Sequence, residues 1–412
     1  MTTASHLAPV WFKVTDLQVT HGQGSWVYTV DGQEYLDFTA GIAVVSTGHS
    51  HPAVVKAIQD QAARFIHAQV NCYTHDLLEP LAARLADLAP GGIDTFFYAN
   101  SGAEITEASV KLAKQVTKRP NVIVFAGSFH GRTHQAMAMT TSKTSYRAGY
   151  APLPSGVFVA PYPDPLAADQ DAEIDRALAG FAHLLKSMTA PEETAAAILE
   201  PVLGEGGYIA APARFIQGIV EQCRAHGILF IADEVQTGFG RTGTMFAVEH
   251  YGIEPDIICM AKGIASGFPF AALGARAELM AKWPTGSHGG TYGGNAIGCA
   301  AAIATIDVLT APGFLANVVA RGEQLVDGLR ELQREHDGIV QVRGLGLMVA
   351  TEFADAARVA AVQKHCLDEG HLLLMNAGTY GRTLRWMAPL VVTESEVAQA
   401  LSAFAAALKA TA

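Results

Sequence analysis

The sequence predicts an α/β protein with a large domain built on a mostly parallel sheet flanked by helices, and a smaller α+β domain drawn from both termini. Three observations predict it. From about residue 52, short apolar runs alternate with amphipathic helical stretches, the pattern of a parallel sheet with crossover helices. Two of those runs stop abruptly at charge, Phe230-Ile231-Ala232 at Asp233 and Glu234, and Ile257 to Met260 at Lys262. After Asn295 the texture changes to two long helical patterns followed by shorter strands and helices. The division reads as an N-terminal arm and hairpin over 1–51 belonging to the small domain, a large domain over 52–310, and a C-terminal small domain over 311–412.

In chain order, residues 1–25 lack periodicity and read as an irregular arm. Trp26 to Val30 and Glu34 to Phe38 flank Asp31-Gly32, a hairpin signal. The stretch GIAVVSTGHSHP is a glycine-rich loop, and Pro52 opens a helix to about His67. Helices follow over about 76–88, 104–117, 172–187 and 213–226, the last closed by Gly227. Strands are expected at 95–98, 122–125, 195–199, 230–232 and 257–260, and the proline-rich stretch 152–165 reads as a loop. Beyond 295, helices are expected over about 295–309, 314–336 and 357–369, with strands near 339–342, 347–353, 371–375 and 383–387.

Composition narrows the function. The 412 residues are half hydrophobic, with 40 glycines and few charges, an ordinary globular balance. A net charge of −11 argues against nucleic acid and anionic membrane as partners. The five cysteines (72, 223, 259, 299 and 366) are scattered without CxxC spacing and read as reduced thiols of a cytoplasmic protein. No basic segment followed by an apolar run opens the chain, so no signal peptide is expected, and no uncharged stretch reaches membrane-span length. The 15 histidines show no HExxH or paired metal spacing, so no metal site is expected. The run Gly238 to Gly243 matches GxGxxG, but DEVQT separates it from its strand and no ribose-binding acid follows, so nicotinamide binding is not expected.

The strand ends carry the chemistry, since open α/β sheets bind ligands at the C-terminal edge of their strands. A lysine there, preceded by apolar residues and with no acid beside it, is desolvated; its pKa falls and the neutral amine can attack a carbonyl. A strand-end aspartate beside it fits pyridoxal phosphate, with Lys262 joining the aldehyde and Asp233 keeping the ring nitrogen protonated. The bland alternative is a surface lysine with a helix-capping Asp. Ser101-Gly102-Ala103 sits at a strand-to-helix turn whose unpaired amides suit a phosphate, or where Ser101 simply caps the helix with Glu104. Phe129 follows a strand end and can stack on a ring, with His130 beside it. Arg132 presents a fork donor to a carboxylate, or lies idle on the surface. Glu200 and Glu205 lie among glycines in EPVLGEGG, and those glycines suggest a loop free to move.

Seven motifs in order resemble the class III aminotransferases of pyridoxal phosphate fold type I, most closely their 4-aminobutyrate branch. They are NSGAE, FHGRT, EPVLGEGG, DEVQTGFGRTG, AKGIASGFP, GGTYGGN and LRWMAPL, spanning Asn100 to Leu390. The resemblance implies a seven-stranded-type sheet and pyridoxal 5′-phosphate as cofactor. It implies catalytic roles for Lys262 and Asp233. It implies cofactor contacts from Ser101, Gly102, Ala103, Phe129, His130, Glu200, Val235, Gln236 and Thr291, the last reaching the other subunit's phosphate in a homodimer with shared sites. Ile42, Arg132, Glu205 and Arg385 are implied in substrate binding, with Glu205 the counter-ion of Arg385. The expected reaction takes an amino group from an ω-amino acid, 4-aminobutyrate preferred, to 2-oxoglutarate in a ping-pong cycle. Alternatives are N-acetylornithine or ornithine as donor, or a racemase or aminomutase on the same scaffold. Pairing of dimers into tetramers stays open.

Overall fold

The computed structural model describes residues 6–412. Strands β1 (Val19–Gln23), β2 (Trp26–Thr29) and β3 (Glu34–Asp37) form an antiparallel meander. Next come β4 (Thr95–Ala99), β5 (Asn121–Phe125), β6 (Val157–Ala160) and β7 (Thr194–Leu199), then the small hairpin β8 (Val202–Leu203) and β9 (Ile209–Ala210). Strands β10 (Leu229–Asp233), β11 (Ile257–Met260) and β12 (Ala271–Ala275) complete the large sheet, and β13 (Ile339–Leu345), β14 (Met348–Phe353), β15 (Leu372–Leu373), β16 (Met375–Ala377) and β17 (Thr383–Trp386) follow.

The seven-stranded sheet has the order β4-β12-β11-β10-β7-β5-β6. All its pairings are parallel except those of β12, which runs antiparallel to both β11 and β4. Successive residues of each strand feed opposite faces, as the period of two requires. Ile123, Phe125, Phe230 and Ala232 join one core cluster with Phe181 and Phe215, while Val122, Val124, Ile198 and Ile231 join another with Ile105 and Leu112 of the helix Gly102–Thr117. The sheet is thus buried on both sides, which is why its strands read as unbroken apolar runs. Phe125 is fully buried; truncating such a residue to Ala costs about 3–5 kcal/mol.

The N-terminal meander meets the C-terminal segment through a parallel pairing, Leu36 with Leu372 and Asp37 with Leu373. β13, β14, β17 and β16 make a separate antiparallel sheet. Among the described residues no single helix is long and apolar enough to cross a membrane.

Several expectations fail, each for a local reason. Val19–Gln23 is a strand, not irregular arm; it is mostly exposed, so no apolar alternation marks it. The stretch 152–165 holds the strand Val157–Ala160, whose edge position tolerates the flanking prolines. The antiparallel strand Ala271–Ala275 is AALGA, five small buried residues without β-branching, and gives no propensity signal. The helices His134–Met139 and Glu394–Ala410 were also not expected, although Thr393 and Glu396 form a capping box at the second. The helix from Pro52 stops at Arg64, short of His67.

Candidate active site

A cavity of about 340 Å³ opens at the C-terminal ends of the parallel strands. Its lining includes Ser101, Gly102, Ala103, Phe129, His130, Glu200, Glu205, Asp233, Val235, Gln236 and Lys262. The fold therefore gathers eleven of the fifteen expected site residues into one space.

Asp233 is the last residue of β10 and almost fully buried. Its Oδ1 accepts from the Val235 N–H at 3.1 Å, and its Oδ2 lies 2.7 Å from His130 Nδ1. Burial pulls the His130 imidazole down, but Asp233 and Glu200 lift it above its ordinary range. His130 Nε2 has no hydrogen-bond partner among the described residues. The neighbouring Glu234 points elsewhere. It accepts from the Val248 N–H at 2.8 Å and from Thr237, and burial pushes its carboxyl up to about 7. Only one acid of the Asp-Glu pair serves the cavity.

Glu200 accepts from the backbone N–H groups of Phe129 (2.7 Å) and Gly204 (2.9 Å). Burial raises it to about 7 against the pull of His130. It ties two cavity loops together and behaves as scaffold. Lys262 follows β11 in a short turn, with a left-handed φ of 46°. Such a conformation in a non-glycine residue stores strain and needs support. Thr47 of the N-terminal segment donates its N–H to the Oγ of Ser266, which caps the turn that Lys262 opens, at 2.9 Å. Lys262 keeps some surface toward the cavity yet is heavily desolvated. Burial lowers it to about 8, with Glu205 opposing and Arg385 reinforcing the shift.

Arg385, on β17, is fully buried and donates from Nη1 to Glu205 Oε1 at 2.5 Å. Burial works against both charges. Arg385, with Lys262 and Tyr146, still holds the Glu205 carboxyl below its ordinary range, and Glu205 holds the guanidinium above its own. The loop around Glu205 is not free, contrary to the reading of its glycines. A Cβ on Gly206 would sit 2.5 Å from the Gly127 carbonyl oxygen, and the Glu205 carbonyl accepts from the Gly378 N–H at 3.0 Å. The glycines permit close backbone packing, so any movement of Glu205 belongs to its side chain.

Three expected residues lie outside the lining besides Arg385. Arg132 is exposed, its guanidinium carbon 4.7 Å above the Tyr146 ring. Ile42 is 39% exposed on a turn in which residues 40 to 43 all have positive φ, next to the cavity residue Val44. Thr291 is exposed on the loop that precedes the helix Ala296–Leu309. Tyr146 went unnoticed in the sequence. Its hydroxyl donates to Glu205 Oε2 at 3.0 Å, and its ring packs edge-on against Phe129 at 5.2 Å. It sits in a three-residue turn with no periodic signal.

The GxGxxG run folds as a turn whose Arg241 is buried, donating to the carbonyls of Leu347 and Ala388. It holds the C-terminal segment in place.

The family model for class III aminotransferases matches residues 8–408. The chain belongs to the class III aminotransferases. The 4-aminobutyrate aminotransferase of Escherichia coli is 39% identical over 384 residues, covering 91% of this chain and 89% of that protein. The acetylornithine aminotransferase of Archaeoglobus fulgidus is 40% identical and covers 93% of each chain. A structure of the ornithine aminotransferase of Toxoplasma gondii, with partial occupancy of pyridoxal phosphate at its active site, matches with a TM-score of 0.87 at 28% identity, covering 100% of this chain and 92% of that one.

Aminotransferases of this class depend on pyridoxal phosphate, and the cavity of this one fits it. A Cβ on Gly102 would lie 2.8 Å from Val235 Cγ1, so only glycine leaves the helix start open beneath Val235. Ser101 caps that helix by accepting from the Glu104 N–H at 3.3 Å, and the unpaired first-turn amides adjoin the cavity, as an anion needs. The buried Oε1 of Gln236 has no hydrogen-bond partner among the described residues and can accept from a ring hydroxyl.

Proposed function

We propose that this aminotransferase moves an amino group from an ω-amino acid, preferably 4-aminobutyrate, to 2-oxoglutarate, as a cytoplasmic homodimer with shared sites. The division into 1–51, 52–310 and 311–412 goes with this reading: the cavity takes Val44 from the N-terminal segment and the rest of its lining from the large domain, with Arg385 of the C-terminal segment paired to Glu205. One observation carries the donor class. Arg385, the natural holder of an α-carboxylate, is already neutralised by Glu205 inside the cavity wall. An unpaired buried guanidinium is costly. A donor without an α-carboxylate therefore suits the paired state, and glutamate or 2-oxoglutarate suits the state in which Glu205 has turned away.

In this reading Ser101, Gly102 and Ala103 hold the phosphate, joined by Thr291 of a second copy, a residue that is exposed on this chain. Asp233, fixed by His130, keeps a proton on the ring nitrogen. Gln236 meets the ring hydroxyl, and Val235 and Phe129 bracket the ring. The bound cofactor supplies an electron sink for the carbanion formed at the substrate. Lys262 moves the proton, and a pKa of about 8 places it near the ambient pH where acid-base exchange is most effective. Arg132 grips the distal carboxylate that 4-aminobutyrate and glutamate share, and Ile42 borders the donor chain.

The 40% identity to the Archaeoglobus acetylornithine aminotransferase favours a second reading, with an acylated ornithine as donor. A panel of 4-aminobutyrate, 5-aminovalerate, ornithine and N-acetylornithine with 2-oxoglutarate, read by glutamate formation, decides between them. The highest kcat/KM for N-acetylornithine would replace the preferred donor. Isomer formation from an amine without 2-oxoglutarate would indicate a racemase or aminomutase.

A further inference from the structure

We infer that Tyr146 is the pivot on which Glu205 turns, a positioning residue that sets how readily the site admits an α-carboxylate. The inference rests on the reading of Glu205 and Arg385 as a switched pair. Its own basis is the division of labour at the Glu205 carboxylate. Oε1 accepts from Arg385 and Oε2 accepts from the Tyr146 hydroxyl, so the two oxygens have separate donors on separate segments. The Glu205 side chain is only 13% exposed, so solvent is a poor substitute for either donor. Its backbone is pinned by the Gly378 N–H and by the packing of Gly206 on Gly127, which leaves side-chain rotation as the available motion.

Tyr146 is itself held. Phe129 packs edge-on against its ring at 72°, and Arg132 lies over its face at 4.7 Å. Lys143 also lies 5.9 Å from the ring centre, so two cations approach the ring while the hydroxyl donates to Glu205. When an incoming α-carboxylate takes Arg385, Glu205 loses the donor at Oε1. The bond at Oε2 survives a rotation about Tyr146, and the carboxylate keeps one charge-assisted hydrogen bond while it moves. The hydroxyl therefore matters unequally to the two states. In the paired state Glu205 has Arg385 as well; in the turned state Tyr146 is the donor that remains.

Removing the hydroxyl makes opening harder and leaves the paired state nearly intact. Tyr146→Phe keeps the ring contacts to Phe129 and Arg132. In the holoenzyme it is expected to lower kcat/KM for the glutamate half-reaction by about tenfold, the loss of one hydrogen bond to a charged group. The loss should fall on KM, because substrate binding is the step that opens the pair. The 4-aminobutyrate half-reaction should stay within about twofold. In a Glu205→Ala background, Tyr146→Phe should change neither half-reaction.

Single-turnover rates for each half-reaction are the measurement. Equal losses in both halves would overturn the inference, since they would mean that Tyr146 acts through Arg132 and the distal carboxylate common to both substrates. No loss in either half would overturn it as well, as would a loss that persists without Glu205. Failure of the underlying reading looks different. There Glu205→Gln and Arg385→Ala would each depress both half-reactions alike, whatever stands at 146.

Discussion

Two pairs of charged groups, one lining the cavity and one reaching it through Glu205 alone, are built differently. Asp233 ends β10 and His130 lies on the loop after β5, with β7 between those strands in the same sheet; both are buried, and each is held by backbone or side chain at that sheet's edge. Glu205 and Arg385 come from segments 180 residues apart, one on a loop after β7 and one on β17. The first pair has one arrangement. The second is a contact across an interface between sheets, with a third partner in Tyr146. The sheet edge supplies what is common to every substrate, and the crossing between segments supplies what differs between them. A strand end is rigid because its backbone is hydrogen-bonded on both sides; a side-chain pair across two elements can exchange partners at the cost of one charged contact.

The largest test of that contrast is Lys262→Ala. Steady turnover should vanish in both halves while the protein still binds pyridoxal phosphate, measured by absorbance and by glutamate formation. Residual turnover near wild type would remove Lys262 from its role. Next is Asp233→Asn, which should cost orders of magnitude in both half-reactions equally, because an amide cannot keep the ring nitrogen protonated. A loss confined to one substrate would refute the rigid-pair assignment.

The switched pair should behave in the opposite way. Arg385→Ala is expected to damage the glutamate half-reaction by about a hundredfold more than the 4-aminobutyrate half, the scale of a charged contact. Glu205→Gln should do the reverse. Single-turnover rates that fall together would make the pair structural. Thr291→Ala should have a smaller effect, weakening retention of the cofactor. Mixed dimers of Thr291→Ala with Lys262→Ala decide whether the site is shared, since a site built from one chain would leave such heterodimers no different from the mixed parents.

The smallest effect is a shift in pH dependence. Lys262 is held near 8 chiefly by burial, with Glu205 raising it and Arg385 lowering it. A neutral amine is required for attack, so the rate at which cofactor-free protein takes up pyridoxal phosphate should rise with pH and level off above about 8. Glu205→Gln should move the midpoint down and Arg385→Ala should move it up. Midpoints that stay together in all three proteins would mean the pair does not couple to the lysine.

The cavity residues were legible where a buried run ends in charge. Asp233 and Lys262 stand out because an uncharged apolar run stops at each of them, and a strand buried on both faces gives an unbroken run to mark the edge. Tyr146 gave no such mark, because a tyrosine in a three-residue turn has no period to belong to. The strand Ala271–Ala275 was silent for a related reason: it is chosen by the two strands it lies between, not by the propensity of its own small residues.

By itself the sequence determined the alternating sheet, the strand-end pair Asp233 and Lys262, and the family, because local apolar periodicity and motif order are properties of the chain before it folds. Only the tertiary structure decided that His130 holds Asp233, that Glu234 does not face the cavity, and that Glu205 answers to both Arg385 and Tyr146. Those are contacts between residues 14 to 180 positions apart. Direction of a side chain and choice among partners depend on which elements the core brings together, and no short window of sequence contains that information.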